Sequence, residues 1–204
     1  MKSPNYCIIT VAECQPKSLP KNLELCRQLK TYVEDKLTNT LIYFGGFNTG
    51  NYAGALAYFE NYSTLRDFEQ AFEIYQHTSY YQKLFNGGTA SIKSRNFIKY
   101  SPVTYEQNLK VEGRYLVLTR VKTDRSMLNT INKLAPIFFR TGALTYRLGS
   151  IMTGESVRDE LLIVSYSSME QIETAYDLLA DSPVYDDLVN TVTVNSRDII
   201  KLEF

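Results

Sequence analysis

Residues 49–81, TGNYAGALAYFENYSTLRDFEQAFEIYQHTSYY, lie without a gap over residues 153–185, TGESVRDELLIVSYSSMEQIETAYDLLADSPVY. Thr49/Thr153, Gly50/Gly154, Tyr62/Tyr166, Ser63/Ser167, Glu69/Glu173, Ala71/Ala175 and Tyr81/Tyr185 are identical, and most other core positions keep an apolar residue. A chain of 204 residues can form one large domain or two of about 100, and the duplication decides for two similar units. A unit of that size leaves a sizeable share of its apolar surface uncovered. Each unit is therefore expected to cover the other.

Working outward from this block, Thr49-Gly50 and Thr153-Gly154 mark turns, where glycine tolerates positive φ. They join strand-like runs, Leu41–Asn48 to Ala53–Tyr62 and Leu144–Met152 to Glu160–Tyr166. Ser63-Thr64 and Ser167-Ser168 supply N-cap hydroxyls. Leu65, Phe68, Phe72 and Tyr75 follow at helical spacing, as do Met169, Ile172, Tyr176 and Leu179. A short helical stretch comes next, His77–Phe85 or Asp181–Val189, and then a last strand, Ser94–Tyr100 or Ser196–Leu202. That strand pair is offset by 102 residues rather than 104, so the first repeat holds two extra residues near Gly87-Gly88.

Upstream, each half opens with a strand, Tyr6–Val11 or Tyr115–Val121, and then a helix. The first helix spans about 20–37 with Pro20 in its first turn. The second carries Leu128, Ile131, Ala135 and Phe138, and Pro136 is expected to kink it or end it near Ala135. Gly45-Gly46 and Gly87-Gly88 read as turn glycines.

The order β-α-β-β-α-β, twice, predicts an α+β fold of two tandem ferredoxin-like repeats, 1–102 and 111–204, with a linker at about 101–112. Such a sheet carries helices on one face only, and its other face needs a cover. Packing the repeats sheet to sheet gives an intrachain pseudo-dimeric α/β barrel. In this element order, and in the Tyr near the end of the second helix (Tyr81, Tyr185), the chain resembles the dimeric α/β barrel superfamily. That superfamily includes the antibiotic-biosynthesis monooxygenase-like and stress-responsive barrel families. The resemblance implies a pocket between sheet and helices in each unit, used in the monooxygenase-like families on a polycyclic phenolic substrate without metal or flavin. Some relatives instead cradle haem there. Members often use a Trp, Asn and His set, whereas this chain has no Trp and one histidine.

Composition excludes several classes. Twenty-two acidic and 22 basic residues balance, with no basic stripe for nucleic acid. Ala53–Tyr62 and Asp159–Tyr166 also lack the basic, glycine and aromatic run of an RNA-recognition strand. No apolar run nears the roughly 18 residues of a spanning helix, and the N-terminus has no secretory pattern, so no membrane partner is expected. Cys7, Cys14 and Cys26 are an odd count confined to one repeat, which fits reduced thiols in the cytoplasm. With one histidine and no CxxC pair, metal-ligand spacing is absent. Neither a GxSxG elbow nor a GxGxxG or Walker pattern occurs, so no cofactor is expected.

Sixteen Tyr and ten Phe remain as the chemical signal. Phenol rings suit a pocket for an apolar or aromatic molecule, where the hydroxyl orients a carbonyl or another hydroxyl, although Tyr also fills a half-buried sheet well. The ligand-binding candidates are Tyr6, Tyr58, Tyr62, Tyr80, Tyr115, Tyr166 and Tyr185. Arg95 and Arg197, near the start of the last strands, join them, either to meet an anionic group or to form a sheet-edge salt bridge. His77, as a general base, and Tyr81 are the catalytic candidates; Asp181 at the position equivalent to His77 suits helix capping. The first repeat keeps His77, Tyr58 and Tyr80 where the second has Asp181, Leu162 and Val184, and is expected to hold the working pocket. Three functions stay open: a pocket protein that binds or transforms an apolar, aromatic small molecule, a cofactor-independent monooxygenase, and a non-catalytic assembly module that forms a homo-oligomer.

Overall fold

A computed structural model describes residues 4–15, 17–109 and 111–204. The first repeat comprises β1 (Tyr6–Cys14), α1 (Leu19–Glu34), β2 (Thr40–Phe47), β3 (Leu56–Tyr62), α2 (Leu65–His77), α3 (Ser79–Phe85) and β4 (Ala90–Tyr100). The second comprises β5 (Tyr115–Lys122), α4 (Leu128–Arg140), β6 (Thr145–Thr153), β7 (Glu160–Tyr166), α5 (Met169–Ala180), α6 (Pro183–Thr191) and β8 (Thr193–Glu203). All strands pair antiparallel in one closed barrel, β1-β3-β2-β8-β5-β7-β6-β4. Each repeat supplies four adjacent strands, and the repeats meet at two seams, β2 with β8 and β4 with β6.

Strand alternation divides the apolar residues into separate cores. Cys7, Ile9 and Val11 of β1 join Leu116 and Leu118 of β5, together with Phe59, Ile98, Ile163 and Ile200, in one cluster drawn from both repeats. This is the barrel interior, in which each sheet covers the other. Ile8 and Val117, one residue out of phase, belong to two further clusters under the helices of the first and second repeats. The chain is thus the pseudo-dimeric α/β barrel expected from its element order.

Several local expectations are corrected. Gly45 and Gly46 lie within β2 rather than in a turn. Gly45 pairs with Leu202 across a seam, and a Cβ there would stand 2.1 Å from the Lys201 carbonyl oxygen. Its equivalent Gly149 pairs with Tyr100 on the other seam, and a Cβ there would stand 2.4 Å from Ile98 Cγ2. Close approach across the seams, by backbone at Gly45 and by the Ile98 side chain at Gly149, and not turn geometry, favours glycine at both sites. Helix α4 runs on through Pro136 to Arg140. The buried stripe of Ile131, Leu134, Ala135 and Phe138 holds it against the sheet, so packing overrides the missing N–H. His77 ends α2 rather than opening the short helix; Thr78 caps both, its hydroxyl accepting from Tyr80 N at 3.3 Å.

The α2 stripe is only half buried. Ala71 and Tyr75 face the core, while Leu65 and Phe72 are 48% and 45% exposed and line an open groove with Phe68 and Phe97. Among the described residues, no helix is long and apolar enough to cross a membrane.

Candidate functional site

The spaces between sheet and helices are built on equivalent positions and have diverged in chemistry. In the first repeat, Glu60 of β3 is 1% exposed. Tyr62 donates its hydroxyl to Glu60 Oε1 at 2.9 Å, and Arg95 Nη2 donates to Oε2 at 3.1 Å. Arg95 therefore forms the salt bridge that was one of its two readings, although a closed barrel gives it no sheet edge. Tyr58 and Tyr75 are buried beside this carboxylate. Burial first, and the Glu60 charge second, push both phenols well above the ordinary tyrosine range, so they stay neutral. Tyr81 packs against Tyr75 and Phe85, with ring centroids 5.6 and 4.8 Å away. What remains open is about 10 Å³. This core is filled.

In the second repeat, Val164 takes the place of Glu60, Leu162 that of Tyr58 and Leu179 that of Tyr75. Losing the carboxylate and two phenols leaves a cavity of about 40 Å³. Its walls include Val117, Ile131, Leu134, Phe138, Val164 and Leu188. Arg197 of β8 makes one polar corner. Its Nε donates to Thr119 Oγ1 at 3.3 Å, its Nη2 donates to the Tyr185 hydroxyl at 2.9 Å, and the guanidinium lies 5.0 Å from the Tyr176 ring centroid. Among the described residues no carboxylate pairs with Arg197. Burial raises the Tyr176 phenol against the opposing pull of Arg197, and burial also raises that of Tyr166, so neither supplies a negative charge. A guanidinium without a carboxylate partner can hold an anionic or phenolic oxygen.

Helix α6 closes this cavity with Tyr185, Leu188 and Val189 and has no buried residue of its own. Its Val184, Tyr185 and Leu188 pack on the core only partly buried. The first-repeat counterpart, α3, is anchored by the buried Leu84. Of the two equivalent sheet–helix spaces the second is the roomier, while the first repeat opens instead at the groove beside Phe68, Phe97 and Arg95.

The structure brings Tyr166, Tyr185 and Arg197 together at the second cavity, and Tyr58, Tyr81 and Arg95 around the first, with Tyr62 bonded to Glu60. Tyr6 stacks on Phe97 at 5.6 Å, Tyr80 meets Tyr32 edge-on at 6.0 Å, and Tyr115 packs on the second helix-side core. These three line neither cavity, and nor does His77, which is exposed. From the sequence Tyr176 reads only as part of the helix stripe, and Thr119 is not among the site candidates. Aligning Glu60 with Val164 would have found the site, because it shows one arginine losing its acid. Among the described residues, no group of three His, Cys, Asp or Glu could hold a metal ion. Haem does not fit the residues present: the sole imidazole is exposed on the other repeat, and the second cavity is far smaller than a porphyrin.

The closed antiparallel barrel with helices on its outer face gives the chain the dimeric α/β barrel fold. The chain belongs to the family described as Domain of unknown function (DUF6854), whose model matches residues 4–100 and 113–202. A candidate monooxygenase from Fusobacterium nucleatum superposes with a TM-score of 0.72 at 9% identity, covering 99% of this chain and 94% of that one. Chlorite dismutase from Candidatus Nitrospira defluvii gives 0.63 at 8% identity, covering 100% and 93%. An anthrone oxidase-like protein gives 0.61 at 11% identity, covering 100% and 93%. At these identities the likeness is one of fold. Comparison with curated proteins found no match.

Proposed function

We propose that the second repeat binds a small apolar, aromatic molecule between β5, β7 and helices α4 to α6. The observation that carries this reading is the exchange of Glu60 for Val164: one repeat fills the space with its own acid and phenols, and the other leaves room beside an arginine with no carboxylate partner among the described residues. The apolar walls supply the affinity, and Arg197 with Tyr185 fixes orientation. A ring system larger than the cavity enters by displacing α6. Native mass spectrometry of freshly purified protein tests this directly and is expected to reveal a co-purified aromatic compound. Binding of a panel of hydroxylated polycyclic compounds is expected to weaken at least about tenfold in Val164→Glu, which restores the acid of the first repeat. Equal binding by Val164→Glu and wild type would refute the assignment.

A second reading makes the same cavity a cofactor-independent monooxygenase. It is favoured by the Tyr185–Arg197 pair at the polar corner and by the candidate monooxygenase and anthrone oxidase-like folds among the neighbours. Molecular oxygen would be the oxidant: a substrate methylene becomes a carbonyl, taking one oxygen atom while the second leaves as water with the two hydrogens lost. Oxygen uptake with a panel of anthrones, reduced in Arg197→Met, is the expected result. No uptake with any of them leaves binding without chemistry.

A further inference from the structure

The barrel interior holds a charge that no carboxylate among the described residues answers. Arg147 of β6 is 8% exposed, and neither Nη1 nor Nη2 has a hydrogen-bond partner. Its guanidinium lies 5.3 Å from the Tyr100 ring centroid. The Tyr100 hydroxyl donates elsewhere, to Asn61 Oδ1 at 2.8 Å. No carboxylate among the described residues pairs with Arg147.

Nearby acidic groups cannot provide the missing charge. Burial pushes the Cys7 thiol up to about 12 even though Arg147 pulls it down. Burial likewise raises the phenols of Tyr43 and Tyr100 against the same pull. All three are neutral around neutral pH. In the first repeat Tyr43 holds the position of Arg147, so the charge is not matched across the barrel axis.

Beside the guanidinium is a cavity of about 30 Å³, bordered by Tyr43, Asn61, Tyr100, Thr145 and Ser165. That is room for a water or one small ion. Water would satisfy the donors but leave the charge unanswered, and a buried guanidinium without a counter-ion is strongly disfavoured.

We propose that this cavity is a binding site for a small monovalent anion of halide size, held by Nη1 and Nη2 of Arg147 inside the barrel. The site is independent of the second-repeat pocket, which lies on the outer face of the sheet beneath the helices.

Thermal unfolding of the full chain in sodium gluconate, with chloride or bromide replacing gluconate at fixed ionic strength, tests it. The midpoint is expected to rise by roughly 3–5 °C for each tenfold excess of halide over its dissociation constant. Arg147→Met is expected to keep or exceed the gluconate midpoint and to lose the halide response. The chlorine NMR line width of sodium chloride with wild-type protein gives a reading that needs no variant: the line broadens and narrows again when bromide competes. Equal midpoints in halide and gluconate with an unbroadened chloride line would overturn the proposal. So would a full halide response in Arg147→Met.

Discussion

Arg95 reaches diagonally across β1 to hold the buried Glu60 carboxylate at 3.1 Å, and this contact separates the repeats chemically. Its counterpart Arg197 faces Val164 and settles for a threonine and a phenol. Arg95→Met strands a carboxylate that is 1% exposed and is expected to cost about 3 kcal/mol. The double variant Arg95→Met/Glu60→Val should recover most of that loss. Urea unfolding midpoints of the two variants decide it, and a double variant no better than the single one would contradict the assignment.

The seam glycines give a second prediction. Gly45→Ala and Gly149→Ala place a methyl 2.1 Å from a carbonyl oxygen and 2.4 Å from a side-chain methyl. Both should destabilise, by about 2 kcal/mol or more where the obstacle is backbone. Gly46→Ala, whose nearest neighbour is Leu19 Cδ2 at 3.7 Å, should change stability little. Calorimetric melting of the three proteins provides the comparison.

Asp198 of β8 is 3% exposed, and its Oδ1 has no hydrogen-bond partner. Burial raises its pKa, with Ser196 and Arg120 opposing. A carboxyl whose folded-state pKa is raised contributes stability below its unfolded pKa and loses that contribution as pH climbs through the folded value. Asp198→Asn should therefore gain about 1 kcal/mol over the wild type at neutral pH, and the gain should shrink on acidification. The first repeat already carries Asn96 at this position, where Oδ1 accepts from Glu155 N at 2.7 Å. Urea titrations at acidic and neutral pH read the difference.

Thiol accessibility supplies a further check. Cys7 and Cys26 are both 0% exposed, and burial pushes the Cys7 thiol up to about 12. Only Cys14, at intermediate exposure, should react with a thiol reagent in the native protein. In urea all three should react. Fast native labelling of Cys7 would contradict the closed barrel.

Periodicity made the fold legible. The aligned block around Tyr62 and Tyr166 fixed the repeat, and the capping residues Thr64 and Ser168 accept from Asp67 N at 3.2 Å and Gln171 N at 3.3 Å. Seam contacts were not legible, because Gly45 clashes with a strand more than 150 residues away and local turn statistics carry no trace of that. The site was half legible. Tyr166, Tyr185 and Arg197 were named individually, but weighing His77 and the surplus of phenols drew attention to the first repeat. There Tyr62 bonds Glu60, and Tyr58 and Tyr75 occupy the space themselves. Chemical richness in a sequence can mean a site already occupied by its own side chains.

Joining the halves covalently through the segment between β4 and β5 has a consequence for how the barrel can change. Were it assembled from identical half-chains, every substitution would strike both lobes at once, and widening one chamber would weaken its twin. Here a single lobe keeps the internally braced version while the other is released from it. Internal bracing and open space are thereby divided between the two lobes of one molecule.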